Sequence, residues 1–79
     1  MRKMDELVDH NSCLSRAADD EWLFVLLGRD AAAPATIRFW INERVRLGKN
    51  QHDDPQIVEA KQWADNVEGE QMLRGRRAI

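Results

Sequence analysis

The chain predicts a small all-α domain of three or four helices, and three observations carry that expectation. Two junctions, Ala33-Pro34 and Asp54-Pro55, place proline where a helix begins, because its missing N–H has no intrahelical partner there. After each junction apolar residues recur at helical spacing: Ile37, Trp40, Ile41 and Val45 after the first, Ile57, Ala60, Ala64 and Val67 after the second. Finally, a single run has strand character, and no second strand candidate exists to pair with it.

Taken in order, residues 2–10 carry Met4, Leu7 and Val8 at helical spacing between acidic groups, which predicts a short amphipathic helix. Asn11 and Ser12 interrupt it, and residues 14–18 are open between helix and loop. Residues 1–18 therefore read as an N-terminal helix and linker. Asp19, Asp20 and Glu21 then precede the strongest apolar run, Trp22, Leu23, Phe24, Val25, Leu26 and Leu27, which Gly28 closes. Periodicity alone does not separate a buried strand from a buried two-turn helix here. Helix is the favoured reading, since aspartates in front match an N-cap and glycine behind matches a C-terminal cap. Being apolar all round, the run is expected at the centre of the core, or shared between the core and an interface.

The next helix, from about 34 to 47, has Phe39 and Leu47 on a second flank. Arg44, Arg46 and Lys49 suit its C-terminal dipole, and Gly48 suits its left-handed cap. After a polar loop, Asp54 as N-cap and Pro55 open a last helix reaching about residue 68. Gly69 weakens its continuation, although Met72 and Leu73 offer an extension. Residues 19–68 are thus the helical core and 69–79 a basic, mobile tail of one domain. Trp40, Ile37, Ile41, Trp63 and the run 22–27 are the large apolar groups expected to be buried together.

A chain of 79 residues is marginal by itself, burying only ~60% of the surface its unfolded form exposes. Charged residues at 33%, and no apolar run near the ~20 residues of a span, predict a protein outside the membrane. The first residues lead into no apolar signal segment. Cys13 alone excludes an internal disulfide and suits a reducing cytoplasm. The net charge of −2 is arranged in blocks: acidic 1–28, basic 29–50, acidic 51–71, then a basic end. Such blocks either pair within the fold or favour association of two copies.

Catalytic chemistry finds little to work with. One cysteine and two scattered histidines, His10 and His52, fall short of a structural metal site, so no metal or cofactor is expected. The pairs Asp19/Asp20 and Asp53/Asp54 sit where helix caps are expected, and no glycine-rich phosphate loop occurs. No catalytic residue is assigned, and the chain is expected not to be an enzyme. Arg38, Asn42 and Arg46 follow at four-residue spacing, side-chain types that read guanine and adenine edges. Residues 20–47 could then be a helix-turn-helix, but a solvated helix face predicts the same residues and the chain is acidic, so nucleic acid is disfavoured. Arg29 and Arg38 flank the helix start at Pro34 and could hold a small anion such as a nucleotide, unless Asp30 fills that start itself.

Three segments together carry a resemblance. They are Phe24 to Asp30 with its Gly28-Arg29-Asp30 end, Ala33-Pro34-Ala35-Thr36-Ile37-Arg38-Phe39-Trp40, and Glu59-Ala60-Lys61-Gln62-Trp63-Ala64-Asp65. This pattern, spanning somewhat over half the chain, resembles a loose family of short helical proteins encoded by phages and prophages. The resemblance implies a virus-encoded accessory protein in the host cytoplasm and carries no functional residue with it. The leading expectation is a homodimer that binds a host protein stoichiometrically, in defence or regulation. Its contact face would include Arg38, Phe39, Asn42, Arg46 and Leu47. A DNA-binding regulator and a protein that sequesters an anionic small molecule are the alternatives.

Overall fold

Proline positions and apolar stripes turn directly into helices. In the computed structural model, which describes residues 2–75, four helices form: α1 (Lys3–Val8), α2 (Cys13–Arg16), α3 (Ala33–Arg46) and α4 (Pro55–Leu73). No strand occurs among the described residues, so the fold is all-α as expected. α1 packs on α2 and α3 packs on α4, while neither helix of the first pair packs on either of the second. The core lies in the α3–α4 hairpin, where Ala33, Ile41, Ile57 and Ala64 are almost wholly enclosed.

α3 begins one residue before Pro34. Asp30 serves its start: Oδ1 accepts the Ala32 N–H at 2.8 Å and the carbonyl accepts the Ala33 N–H at 2.9 Å. Its far end is a Schellman cap. The Lys49 N–H reaches the Arg44 carbonyl and the Gly48 N–H the Val45 carbonyl, both at 3.0 Å. That geometry puts Gly48 at φ +71°, where a side chain would be strained.

Pro55 opens α4 as expected, but Asp54 does not cap it with its side chain. The carboxylate turns back into the loop, where Oδ2 accepts the Gln51 N–H at 2.9 Å and the Asn50 side-chain amide at 3.0 Å. Asn50 Oδ1 in turn accepts from Arg44 Nε at 2.6 Å, tying the end of α3 to the start of α4. The Gln51 and Asn50 bonds hold the Asp54 carboxyl below its usual pKa. Nor does Gly69 end the helix. α4 runs on to Leu73, and Ile57, Ala64 and Gln71, spaced by seven, are all buried along it. Residues 69–73 of the expected tail are thus helix, and its residues 76–79 lie outside the described residues.

The largest departure is the run 22–27, which forms neither helix nor sheet and lies largely in solvent. Trp22 is 98%, Phe24 84% and Val25 75% exposed. The expected helix caps do not form, and both ends of the run enter turns instead. Glu21 folds back to accept the Ala18 N–H at 2.9 Å while its own N–H reaches the Ala18 carbonyl, closing a turn over 18–21. A second turn follows, from the Leu27 carbonyl to the Asp30 N–H at 3.0 Å. Six residues between two turns cannot repay helix nucleation without a packing partner, and the enclosed positions of the hairpin are taken by Ala33, Ile41, Ile57 and Ala64. Trp40 and Trp63 are also less enclosed than expected, each half-buried, with the Arg44 guanidinium 5.7 Å from the centre of a Trp40 ring.

The ambiguous stretch after Asn11 resolves as α2. Ser12 Oγ accepts the Ser15 N–H at 3.1 Å as N-cap and donates to the Glu6 carbonyl at 2.8 Å, joining α2 to α1.

Candidate binding surface: an apolar arm and the groove beside it

Among the described residues, the arm formed by residues 22–27 is anchored at its C-terminal end. Gln71, buried on α4, donates from its side-chain amide to the Gly28 carbonyl at 2.9 Å and the Asp30 carbonyl at 2.6 Å. Gly28 itself lies close to Val67, with room for a methyl group at ordinary contact distance. Leu26 and Leu27 form one wall of an open groove of about 520 Å³, with Trp63 and Val67 of α4 opposite. Its rim is charged, basic at Arg2 and Lys3 and acidic at Glu59 and Glu70.

From Trp22 to Leu26 the arm makes no backbone hydrogen bond among the described residues. Those N–H and C=O groups are left to water, an edge open to pairing. The accessible surface of the whole chain amounts to 6686 Å², against about 4,900 Å² for a folded monomer of this mass. A radius of gyration of 13.5 Å likewise exceeds the roughly 12 Å expected for a close-packed chain of this length.

The residues expected to meet a partner are distributed differently. Phe39 and Leu47 are exposed on α3 and its end, 68% and 56%, and Asn42 is exposed too. Arg38 is not free. Its guanidinium holds Asp65 at 2.8 Å and Glu68 at 3.2 Å on α4, and those bonds, Glu68 first, raise its pKa. Arg46 grips Glu43 through two bonds of 2.8 and 2.9 Å, pulling the glutamate pKa down. Arg38 thus pairs the basic block with the acidic one across the hairpin, while Arg46 pairs within its own block. The row Arg38, Asn42, Arg46 offers a nucleic acid two neutralised arginines, and with 22–27 unwound the first helix of a helix-turn-helix is not formed.

The anion site fares no better. Arg38 is held by carboxylates, Asp30 serves the start of α3, and Arg29 lies exposed in the preceding turn. Arg38 and Asn42 instead line a shallow groove of about 310 Å³ with Ile41, Lys61 and Asp65. Cys13 is exposed at the start of α2, with Arg16 Nη2 3.6 Å from its sulfur. Among the described residues no three His, Cys, Asp or Glu side chains converge on a metal-sized site. No helix among them is long and apolar enough to cross a membrane.

Sequence reasoning missed Gln71, although a signal existed: the spacing Ile57, Ala64, Gln71 continues the buried stripe through Gly69. Comparison with protein-family models, characterised proteins and solved structures returns no match.

Proposed function

We propose that this chain is a non-enzymatic binding protein of the phage or prophage accessory type, acting stoichiometrically on a host protein in the host cytoplasm. One observation carries the reading: of a run of six apolar residues, five are exposed, Trp22 and Phe24 most of all, between two turns and a buried glutamine. Exposed large apolar patches mark interaction surfaces, and monomers rarely leave them uncovered. Trp22 and Phe24 supply the aromatic anchors that dominate binding energy at such contacts. The segments that carry the phage-protein resemblance fall on the end of this arm, the first half of α3 and the early turns of α4. Phe39 and Leu47 add a second, smaller apolar contact. Self-association as a homodimer belongs to the same proposal.

The test is capture from host lysate with the native chain and with the double variant Trp22→Ser, Phe24→Ser. The native chain is expected to retain a protein in near-equal amount and the variant to lose it, with identical helical circular dichroism. Equal retention by the variant would remove the arm from this reading. Salt-sensitive retention of duplex DNA would replace it with the regulator alternative.

A further inference from the structure

Resting on the reading of the arm as a contact element, we infer that the arm is also a limited-proteolysis site, cut between Phe24 and Val25 by an endopeptidase that selects an aromatic residue before the bond. Such an enzyme takes its substrate as an extended strand, so several consecutive residues must offer it unpaired backbone groups. An exposed side chain is not enough. Among the described residues, aromatic side chains and an unpaired backbone coincide in the arm.

The other aromatics make the contrast. Phe39, Trp40 and Trp63 lie inside α3 and α4, where helix hydrogen bonds hold the backbone. A cut beside them requires the helix to open first. Phe39 separates the two requirements, because its side chain is exposed while its backbone is in the helix.

Within the arm, the turns decide which bond is cut. Residues 22–26 make no backbone hydrogen bond among the described residues, so the Phe24–Val25 bond has open backbone on both sides. Phe24 and Val25 are both exposed. The Trp22–Leu23 bond is less available. Glu21, just before it, gives its N–H to the Ala18 carbonyl at 3.0 Å in the turn over 18–21.

The step is hydrolysis, with the catalytic groups supplied by the protease. Water gives its oxygen to the Phe24 carbonyl carbon and its protons to the Val25 nitrogen. The C–N bond between them breaks, leaving a carboxylate and an ammonium group. α1 and α2 pack on each other and on neither α3 nor α4, so no helix packing ties residues 1–24 to the hairpin after the cut. Trp22 and Phe24 leave with that piece, while the Gln71 bonds to the Gly28 and Asp30 carbonyls stay in residues 25–79. Cleavage therefore parts the aromatic anchors from the hairpin and ends binding through the arm.

Chymotrypsin is the probe, at a low ratio to the native full chain, with products followed over time by mass spectrometry. The pieces 1–24 and 25–79 should come first, at least about a hundredfold ahead of cuts after Phe39, Trp40 or Trp63. They should separate on native size exclusion. Val25→Pro removes the N–H beyond the bond and fixes the backbone there, and should slow this cut by at least about tenfold. Helical circular dichroism should not change, since Val25 has no backbone hydrogen bond to lose.

A first cut outside residues 22–27, after Phe39 above all, would overturn the inference. A first cut elsewhere within the arm would overturn the choice of bond, and pieces that elute together would overturn release of the anchors. No partner enters this measurement, so failure of the lysate capture and failure of the cleavage site are read separately.

Discussion

The α3–α4 hairpin and the arm at 22–27 draw on the same kinds of apolar residue and meet opposite ends. In the hairpin, Ile41, Ile57 and Ala64 are enclosed; in the arm, Trp22, Phe24 and Val25 stand in water. Hydrophobicity does not separate them, since the arm is the more apolar stretch. Spacing does. The hairpin's apolar residues recur at helical spacing, so Ile41 on α3 and Ile57 and Ala64 on α4 fall where each helix is buried, and the polar residues between them keep their water. Its charged face is used as well, with Arg38 spanning to Asp65 and Glu68. The arm has no polar face, so no packing on a two-helix core can cover all of it, and turns at both ends hold it open. The enclosed positions of the hairpin are taken by Ala33, Ile41, Ile57 and Ala64, and none of the arm's aromatic side chains is among them. A good core for so short a chain thus excludes its own most apolar segment.

The sharpest way to break this contrast is to weaken the side that carries stability. Ile57 is fully enclosed, and Ile57→Ala should cost about 2–5 kcal/mol through lost contacts and the cavity left behind. That is comparable with the whole stability of a domain this size, about 4–12 kcal/mol. Chemical denaturation followed by circular dichroism should show the variant largely unfolded or melting far lower. A near-native transition would mean that the hairpin is not the cooperative unit.

Gln71 joins the two regions, so its removal should separate them. Gln71→Ala leaves the Gly28 and Asp30 carbonyls without their donor and should cost about 1–3 kcal/mol, two bonds of ordinary net value. Its effect should be local. Nuclear Overhauser contacts between Gly28 and Val67 should vanish, while those among Ile41, Ile57 and Ala64 persist. Retention of the Gly28 contact would show that Leu26 and Leu27 hold the arm in the groove without the glutamine.

The hairpin was legible in the sequence because each of its signals is local. Proline at two helix starts, Gly48 behind α3 and stripes three and four residues apart need no knowledge of the rest of the fold. The arm was not legible for the converse reason. A run apolar on every side has no period, and whether it becomes a helix depends on a partner surface that sequence does not display. Its acidic leader also supported a cap as well as it supported the turn at 18–21 that formed. Asp54 shows the same limit on a smaller scale, since its place before Pro55 was readable and its bonds to Gln51 and Asn50 were not. Complementary charge blocks foreshadowed pairing between α3 and α4, but nothing local tied Arg38 to residues 27 and 30 positions away. Gln71 was hidden behind Gly69, because a single helical glycine costs only ~1 kcal/mol and packing on either side outweighs it.

The smallest expected effect is the most discriminating. Trp22 is a tryptophan in a chain with few large side chains, and a core assignment would make Trp22→Ser one of its most damaging changes. With 98% of its surface exposed it has almost no contacts to lose, so the change should alter the stability of the monomeric fold by no more than about 0.5 kcal/mol. Self-association complicates the measurement, since a dimer held by the arm would be weakened by the same substitution and its melting would depend on concentration. Comparing native chain and variant over a hundredfold range of protein concentration separates the two, because only the dimer's contribution depends on concentration. Equal denaturation midpoints at the lowest concentration, with a lower midpoint for the variant only at the highest, would assign the tryptophan to the contact between copies. A large loss at every concentration would instead return the arm to the core.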